Sequence, residues 1–265
     1  MERLAPAKVN LGLSLLGRRP DGYHELHTLF AQVSVGDLVR LEPTPGGVDF
    51  RGRYGKRNLV YRAATAYLEA AGWPGGVRVE LEKRLPEAAG LGGGSSDAAA
   101  VLLLLKDLYP APVDLFALAR SLGADVPFFL LGGVAEARGV GEVLRPLEAP
   151  RVPVVLFYGG PRLPTPRVYA EVKPHDYGGP LNVEVILNAL PGGEPPYWNS
   201  LEGPAFRLQP ELKKVKERMQ ALGLRGVLMS GSGSSFFGLA SSLEEAQEAA
   251  KALRPLGWAR AGWLG

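Results

Sequence analysis

The hydrophobic and polar positions of this chain change their period several times, and each change predicts a different element. From residue 7 to 15 an apolar residue stands at every second position, which is typical of a strand with one buried face. Further strands are expected near 29 to 35, 38 to 42 and 48 to 51, and a helix over 58 to 71, where apolar residues recur at helical spacing. Several strands thus precede the first helix, as in an α+β layer.

A glycine-rich stretch then joins a strand to a helix. Residues 77 to 83 alternate apolar and charged side chains, whereas 98 to 105 have the composition of a buried helix. Between them, four of the five residues 90 to 94 are glycines, which leave the backbone open to a ligand. Ser95 to Asp97 fall where N-cap and first-turn residues are expected. Because helix N–H groups and the positive end of the helix dipole point into this loop, it is expected to bind an anion, most naturally phosphate.

Two familiar nucleotide motifs are absent from the stretch. No lysine follows the glycines, as the Walker pattern requires, and residue 95 is Ser where the dinucleotide pattern needs Gly. A flexible linker is the plainer alternative. Such linkers do not usually lie between an amphipathic strand and a strongly apolar helix, so we favour phosphate binding.

The second half of the chain predicts a second α+β domain. Prolines at 146, 150 and 153 mark a boundary between domains 1–148 and 149–265, and residues 134 to 145 before it predict one bent strand. Beyond it the pattern predicts a strand (152–157), helices (165–169, 181–190 and 210–222), two strands around a glycine-serine loop (231–235), a helix from 242 and a closing strand (258–263). This is the ferredoxin-like order.

Lys8, Asn10 and Asp125 are the first candidates for chemistry. Lys8 and Asn10 share the polar face of the first strand, where a lysine is usually a solubilising charge, although small neighbours leave space around this ammonium. Asp125 is the one charge in an apolar stretch, so it needs a cation or hydrogen-bond donors if it is buried. Its plainer role is to cap a helix beginning near Val126.

Two histidines stand close together after a Pro-Asp-Gly turn. His24 and His27 are two of the three histidines in the chain, and their spacing is one residue short of the zinc-protease pattern. A zinc site is therefore not expected there. A loop histidine without a task and a polar contact to a substrate both remain open.

Composition narrows the class of protein. The 265 residues are enough for two cores, and without cysteine neither disulfides nor thiolate chemistry contribute. The start lacks a signal-peptide pattern and the longest apolar run is too short to span a bilayer, so a cytoplasmic protein without a membrane partner is expected. A net charge of +3 with scattered basic residues favours a small anionic substrate over a nucleic acid.

Six segments together resemble the GHMP small-molecule kinases over nearly the whole chain. They are Ala5 to Leu11, Arg19 to His24, Pro86 to Ser96, Gly123 to Phe129, Pro164 to Pro166 and Gly231 to Ser235. The glycine loops mark the superfamily, whereas Arg-Pro-Asp-Gly-Tyr-His and Ala-Asp-Val-Pro-Phe-Phe resemble the branch that phosphorylates a cytidyl-diphosphate alcohol. The resemblance implies an α+β fold with a ribosomal-type, ATP-binding and catalytic first domain and a ferredoxin-like second domain.

The same resemblance implies roles for individual residues. Asp125 is expected to take the proton from the accepting hydroxyl, while Lys8 orients that aspartate and favours the alkoxide. The residues expected to hold the acceptor are Asn10, Tyr23, His24, Thr165 and Tyr169, the last with its ring against cytosine. The residues expected around ATP are Pro86, Glu87, Ala88, Ala89, Gly90, Leu91, Gly92, Gly93, Gly94, Ser95, Ser96, Asn58 and Lys83.

Mg²⁺ is expected to accompany ATP. No acidic pair in the sequence identifies its protein ligands, and the hydroxyl of Ser95 or Ser96 is the candidate. Asp97 caps the helix or contacts the metal, and the partners of Gly231 to Ser235 are open.

The function that the resemblance favours is phosphorylation of the 2-hydroxyl of 4-diphosphocytidyl-2-C-methyl-D-erythritol, in the non-mevalonate isoprenoid route. One alternative is a GHMP kinase acting on homoserine, mevalonate or a sugar. Another is a ligand-binding relative that has lost catalysis. An RNA-binding role by fold analogy is disfavoured, because no dense basic-aromatic stripe is present.

Overall fold

The computed structural model describes all 265 residues of this mixed helix and strand protein. Its strands are β1 (Glu2–Arg18), β2 (His24–Thr44), β3 (Gly47–Phe50), β4 (Gly76–Glu82), β5 (Val134–Gly139), β6 (Val143–Leu147), β7 (Val152–Tyr158), β8 (Arg225–Met229), β9 (Phe236–Leu239) and β10 (Trp258–Leu264). Its α-helices are α1 (Leu59–Ala71), α2 (Gly93–Leu108), α3 (Leu115–Leu122), α4 (Val126–Leu131), α5 (Thr165–Ala170), α6 (Val183–Ala189), α7 (Glu202–Leu208), α8 (Glu211–Ala221) and α9 (Leu243–Leu253). None of these helices has the length and apolar composition that crossing a membrane requires.

The chain forms two compact units whose segments alternate along the sequence. The first unit consists of Met1–Ala7, Gly36–Glu87 and Gly92–Gly132, and the second of Lys8–Val35, Ala88–Leu91 and Gly133–Gly265. The domain boundary predicted after residue 148 stays a prediction.

The first unit contains helices and a small sheet. The second half of β2 pairs antiparallel with β4, from Leu38 opposite Glu82 to Thr44 opposite Gly76, and β4 pairs in parallel with β3. The α1 helix begins as the sequence predicts, because the Asn58 side chain accepts a hydrogen bond of 3.0 Å from a first-turn N–H group. Behind it the fully buried Tyr67 donates its hydroxyl to a backbone carbonyl. Strands β1, β2 and β3 all precede α1, so the predicted order of strands before the first α-helix is present.

The second unit contains an antiparallel sheet in the order β10-β7-β9-β8. Along the chain, helices α5 to α8 lie between β7 and β8, no helix lies between β8 and β9, and α9 lies between β9 and β10. The ferredoxin-like order predicted for this half is therefore confirmed. Ser242 caps α9 by accepting from the N–H of Glu245 at 3.1 Å, where the sequence predicts that this helix begins. The apolar side of α9 then packs into a core with Phe236 and Phe157.

The structure corrects three local predictions. Residues 134 to 145 are a hairpin of β5 and β6 and not one bent strand, because Gly139 and Gly141 take positive φ values of 74° and 108° at a turn. The α2 helix begins at Gly93, so Ser95 to Asp97 do not cap it. Helix α7 was not expected, since it contains glycine and proline near its start, both of which have low helix propensity.

Strand β2 also passes unbroken through Gly36, where the sequence predicts two separate strands. A Cβ atom on Gly36 would lie 2.1 Å from the carbonyl oxygen of Ala5 on β1. The glycine therefore serves a close approach of two strands and not a turn.

We expect Gly36→Ala to lower the free energy of unfolding by about 1 to 3 kcal/mol, because the added methyl group meets backbone that cannot rotate away. Urea unfolding measures the loss. The matched control is Gly46→Ala, since a Cβ atom there meets nothing within 4 Å. Equal stability of the two variants would show that the close approach is absent.

Candidate active site

Lys8 is buried on β1, with 5% of its surface exposed. Its Nζ donates to Asn10 Oδ1 at 2.9 Å, and Asn10 Nδ2 donates in turn to Thr28 Oγ1 at 2.8 Å. The ammonium also lies 4.8 Å from the centroid of the Phe30 ring, a cation–π distance. The plainer interpretation of Lys8 as a solubilising surface charge is therefore wrong. The fold holds this charge in one place.

Two glycine loops contact each other through their backbones. A Cβ atom on Gly90 would lie 2.3 Å from the carbonyl oxygen of Ser230, so no side chain fits at this position. The Ser230 hydroxyl donates to the Gly90 carbonyl at 2.8 Å, and the N–H of Ser235 donates to the Ala89 carbonyl at 3.0 Å. The second loop thereby fixes the path of the first.

Lys8 contacts the first loop through its backbone, and its ammonium lies beside the second loop. The backbone N–H of Lys8 donates to the Leu91 carbonyl at 2.9 Å. A Cβ atom on Gly231 would lie 3.8 Å from Lys8 Nζ and 3.6 Å from Asn10 Oδ1. The second unit thus brings together Lys8, Asn10, the Ala88–Leu91 part of the first loop and the second loop.

The second glycine loop also connects to the start of α5. The Ser232 hydroxyl lies 2.8 Å from Thr165 Oγ1, and the Ser234 hydroxyl donates to the Pro161 carbonyl at 2.7 Å. Thr165 is the first residue of the helix, as the sequence predicts, and Pro164 is the N-cap. The loop from Gly231 to Ser235, whose partners the sequence leaves open, is therefore a brace between the first loop and α5.

Asp125 stands immediately before α4, in the first unit. It is half-buried, and its side chain forms no hydrogen bond to the N–H groups at the start of that helix. Helix capping, the plainer alternative, is therefore not its role. Lys8 belongs to the second unit, and the pairing of Asp125 with Lys8 stays a prediction.

The α2 helix has an N-terminus without a side-chain cap. Its N-cap residue is Gly92, with φ 69°, so no side chain bonds the N–H groups of the first turn. In the same helix Ser96 is buried, and its hydroxyl has no hydrogen-bond partner. Buried polar groups rarely lack partners, and a phosphate oxygen or a Mg²⁺ ion would satisfy this one. The first turn of α2 and the Ser96 hydroxyl therefore fit a phosphate group with its Mg²⁺ ion. Of the two serines, Ser96 is the better candidate for the metal contact.

The start of α1 lies beside the start of α2. A Cβ atom on Gly94 would lie 3.9 Å from Leu59 Cδ1. Asn58, which caps α1, donates its amide to the Arg53 carbonyl at 3.0 Å, and Arg53 pairs with Glu87 at 2.9 Å. Asn58 and Glu87 are thus placed near the first turn of α2, and their contacts with the nucleotide stay predictions.

Lys83 lies between two buried carboxylates. Its Nζ donates to Asp97 Oδ2 at 2.8 Å and to Asp37 Oδ2. Asp37 is fully buried, and its other oxygen accepts from the backbone N–H groups of Arg84 and Leu85 at 2.6 and 2.8 Å. These bonds fix the chain where it leaves β4 for the first glycine loop. Asp97, in the second turn of α2, is therefore an ion-pair partner and not a helix cap.

The position of Lys83 is also close to the first turn of α2. A Cβ atom on Gly93 would lie 3.3 Å from Lys83 Nζ. The contact of Lys83 with the nucleotide stays a prediction. In the structure its ammonium pairs with two carboxylates, those of Asp37 and Asp97.

Protonation of this cluster changes near neutral pH. Burial raises the pKa of Asp97 to about 7, the charge of Asp37 adds to the rise, and the ammonium of Lys83 opposes it. Burial by itself would lower the pKa of Lys83, but attraction to Asp97 and Asp37 outweighs burial and raises it. The cluster therefore gains a proton on Asp97 as the pH falls through about 7.

Aromatic rings gather around His24 at the start of β2. Its ring centroid lies 5.4 Å from that of Tyr169 and 5.9 Å from that of Tyr177. Burial lowers the pKa of His24, and Arg18 lowers it further, so the imidazole is neutral at pH 7. Tyr23 is 66% exposed. The structure places two of the predicted acceptor residues together, and it adds Tyr177, which no sequence signal marks.

His27 is a buried residue that contacts other parts of the second unit. It lies within β2 and is 1% exposed, Nδ1 accepts from the N–H of Leu181 at 3.1 Å, and Nε2 lies 2.8 Å from Glu136 Oε1. Glu136 also accepts from Arg138 and Arg145. Burial lowers the pKa of His27, with Arg138 the next contribution in the same direction. The first alternative from the sequence, a loop histidine without a task, is therefore wrong for His27, and the second, a contact with a substrate, stays a prediction.

Asp97→Asn is expected to flatten the pH dependence of stability. Asp97 binds its proton more tightly in the folded chain, so its contribution is complete below the unfolded pKa of about 4 and is lost as the pH rises through about 7. This loss lowers the free energy of unfolding of the unmodified protein by about 2 to 3 kcal/mol between pH 5 and pH 8. Urea unfolding at both pH values measures it, and an unchanged pH dependence in the variant would contradict the assignment.

Two family models match the chain. The GHMP kinases N-terminal domain matches residues 58–133, which include the first glycine loop, and the GHMP kinases C-terminal model matches residues 190–256. The chain is also 70% identical to 4-diphosphocytidyl-2-C-methyl-D-erythritol kinase of Thermus thermophilus, and the match covers 100% of this chain and 97% of that protein. The six segments found in the sequence are therefore part of a full-length similarity.

Solved structures show the same fold. A crystal structure of 4-(cytidine 5'-diphospho)-2C-methyl-D-erythritol kinase superposes with a TM-score of 0.98 at 70% identity, covering 100% of this chain and 99% of that one. Homoserine kinase of Cytophaga hutchinsonii shares the fold with a TM-score of 0.69 at 20% identity, over 97% of this chain and 94% of that one. The chain belongs to the GHMP kinases, ATP-dependent enzymes that phosphorylate small molecules.

Proposed function

We propose that this chain transfers the γ-phosphate of ATP to the 2-hydroxyl of 4-diphosphocytidyl-2-C-methyl-D-erythritol, in the non-mevalonate route to isoprenoid precursors. The substrate is that of the relatives that are 70% identical over the whole chain. The structural observation that carries the proposal is the buried Lys8, whose ammonium donates to Asn10 beside the second glycine loop and whose backbone N–H donates to Leu91 of the first.

Phosphoryl transfer depends on positioning and on neutralising the charge of the transferred group. The first-turn N–H groups of α2 supply fixed positive dipoles for phosphate oxygens, since no side chain caps them. A Mg²⁺ ion bound with ATP would neutralise charge on its phosphates, and the Ser96 hydroxyl is the group of this chain that would contact it. Lys8 adds an ammonium whose place is fixed by a neutral amide.

We assign Asp125 as the general base. Asp125 is half-buried at the start of α4 and its side chain does not cap that helix. A positioned carboxylate of this kind can accept the proton of an attacking hydroxyl. In the proposed mechanism Lys8 orients this carboxylate and favours the alkoxide as the proton leaves.

The acceptor is recognised through its pyrimidine in this proposal. The Tyr169 ring and the neutral imidazole of His24 lie 5.4 Å apart and supply an aromatic surface with polar edges. Tyr23 directly precedes His24 in the chain, and Thr165 contacts Ser232 of the second glycine loop. In this proposal Asn10, which accepts from Lys8, also contacts the acceptor. Homoserine and mevalonate have no planar base, so such a surface favours a cytidyl substrate over them.

The test is direct phosphorylation with ATP labelled at the γ-phosphate. The purified protein is incubated with the cytidyl alcohol, homoserine or mevalonate, and the product is identified by mass. We expect label only in the cytidyl alcohol. Transfer to another alcohol would replace this substrate assignment, and no transfer to any of them would support a relative without catalysis.

Asp125→Asn is expected to keep the Michaelis constants for both substrates and to lower kcat at least ~100-fold, the usual contribution of a general base. Steady-state kinetics with both substrates measure this. Asp114→Asn is the matched control, because Asp114 caps α3 through a hydrogen bond that Asn also accepts. Near-normal turnover of Asp125→Asn would remove this residue from the mechanism.

A further inference from the structure

Tyr177 is fixed in the second unit by the residues on both sides of it. On one side the Asp176 side chain is 6% exposed and accepts two hydrogen bonds from the Arg207 guanidinium, at 2.6 and 3.2 Å. On the other side the N–H of Gly178 donates to the carbonyl of Leu15 on β1 at 2.9 Å. A planar, two-point ion pair of this kind defines geometry more strictly than a single contact. The backbone at Tyr177 is therefore held at two neighbouring points.

The packing at Gly178 restricts the same segment. A Cβ atom there would lie 2.7 Å from Ser14 Oγ and 2.8 Å from Trp198 Nε1. The Arg207 guanidinium also donates to the Glu171 carbonyl at 2.6 Å, which ties the segment to the end of α5. The segment that carries Tyr177 is thus attached to β1 and to the helix that carries Tyr169.

These attachments place one ring against His24. The His24 and Tyr177 centroids are 5.9 Å apart with 34° between the ring planes, and Tyr169 lies 5.4 Å from His24 with 39° between planes. Both separations are in the range of favourable aromatic pairs. His24 therefore packs with two tyrosines, and its imidazole is restricted to the orientation that both rings allow.

We propose that Tyr177 is a positioning residue for recognition of the pyrimidine, and that the Asp176–Arg207 ion pair holds it there. The inference rests on the proposed function and adds a residue outside the predicted acceptor set. Tyr177 acts through His24: a ring in a fixed orientation presents its nitrogen atoms to a base edge at a lower cost in conformational entropy. Loss of the ring at 177 should weaken acceptor binding and leave the ATP site unchanged.

The first experiment is steady-state kinetics of Tyr177→Leu. We expect the Michaelis constant for the cytidyl substrate to rise about three- to tenfold, the size of one aromatic pair, with kcat and the Michaelis constant for ATP unchanged. Tyr177→Phe keeps the ring and should restore the unmodified value. The matched control is Tyr158→Leu, the same exchange at a half-buried tyrosine of β7, and it should change neither constant.

A second readout needs no substrate. The chain has three histidines, so the imidazole C–H signals are few in a carbon-proton NMR spectrum. We expect Tyr177→Leu to shift the His24 signals, because the ring current of a neighbouring aromatic is lost, while those of His27 and His175 stay in place. His24→Asn identifies the His24 signals.

Arg207→Met tests the ion pair. It keeps an unbranched apolar stem and removes the guanidinium, so Asp176 loses both hydrogen bonds. We expect the same direction of change in the His24 signals and in the constant for the cytidyl substrate. If this variant does not fold, Asp176→Asn, which retains one acceptor oxygen for Arg207, supplies the comparison.

The outcomes separate this inference from the proposed function. If the unmodified protein does not phosphorylate the cytidyl alcohol, the proposed function fails. If it does so and Tyr177→Leu leaves the Michaelis constant for that substrate unchanged, the inference is overturned, whether or not the His24 signals move. An equal loss in both Michaelis constants or in kcat would also overturn it, since it would indicate a general structural effect.

Discussion

The contact between Gly90 and Ser230 is the constraint on which the arrangement around Lys8 depends. Two backbones approach so closely there that a Cβ atom on Gly90 would overlap a carbonyl oxygen at 2.3 Å. The Ser230 hydroxyl then closes the contact with a hydrogen bond to the same glycine. Because Leu91 accepts from the backbone of Lys8, the fixed path of the first loop also fixes where this lysine enters the site. A side chain at position 90 would separate all three segments.

Lys8 and Lys83 show how the partners of a charged group determine what it does. Lys83 lies between Asp37 and Asp97, so much of its field is cancelled and the cluster serves to fix the chain between β4 and α2. Lys8 is buried on β1, where the amide oxygen of Asn10 accepts a hydrogen bond from its ammonium. The two lysines therefore serve different segments: Lys83 fixes the entry to α2, whereas Lys8 lies beside the second glycine loop.

Local features of the fold could be predicted from the sequence, whereas contacts between distant residues could not. The strand, the glycine loop and the helix around Gly92 follow from short-range periodicity, and so does the helix that begins after Asn58. Asp37 pairs with Lys83 across 46 positions, and a charged residue on a strand carries no signal of that partner. Tyr177 was missed for the same reason, since its role depends on a segment fixed elsewhere.

The glycines of the first loop mark the candidate site in the sequence but do not show how the loop is held. In a sequence, a glycine indicates either a mobile segment or a position where another backbone comes close. The first interpretation predicts a flexible loop, and the second predicts a loop held in one place. The structure distinguishes them: at Gly179 and Gly192 an added Cβ atom would meet nothing within 4 Å, whereas at Gly90 it would meet backbone. The first loop is therefore not a flexible linker at Gly90. The missing side chain there lets a second segment hold the loop, and a loop held in this way loses less conformational entropy when it binds a ligand than a mobile one does.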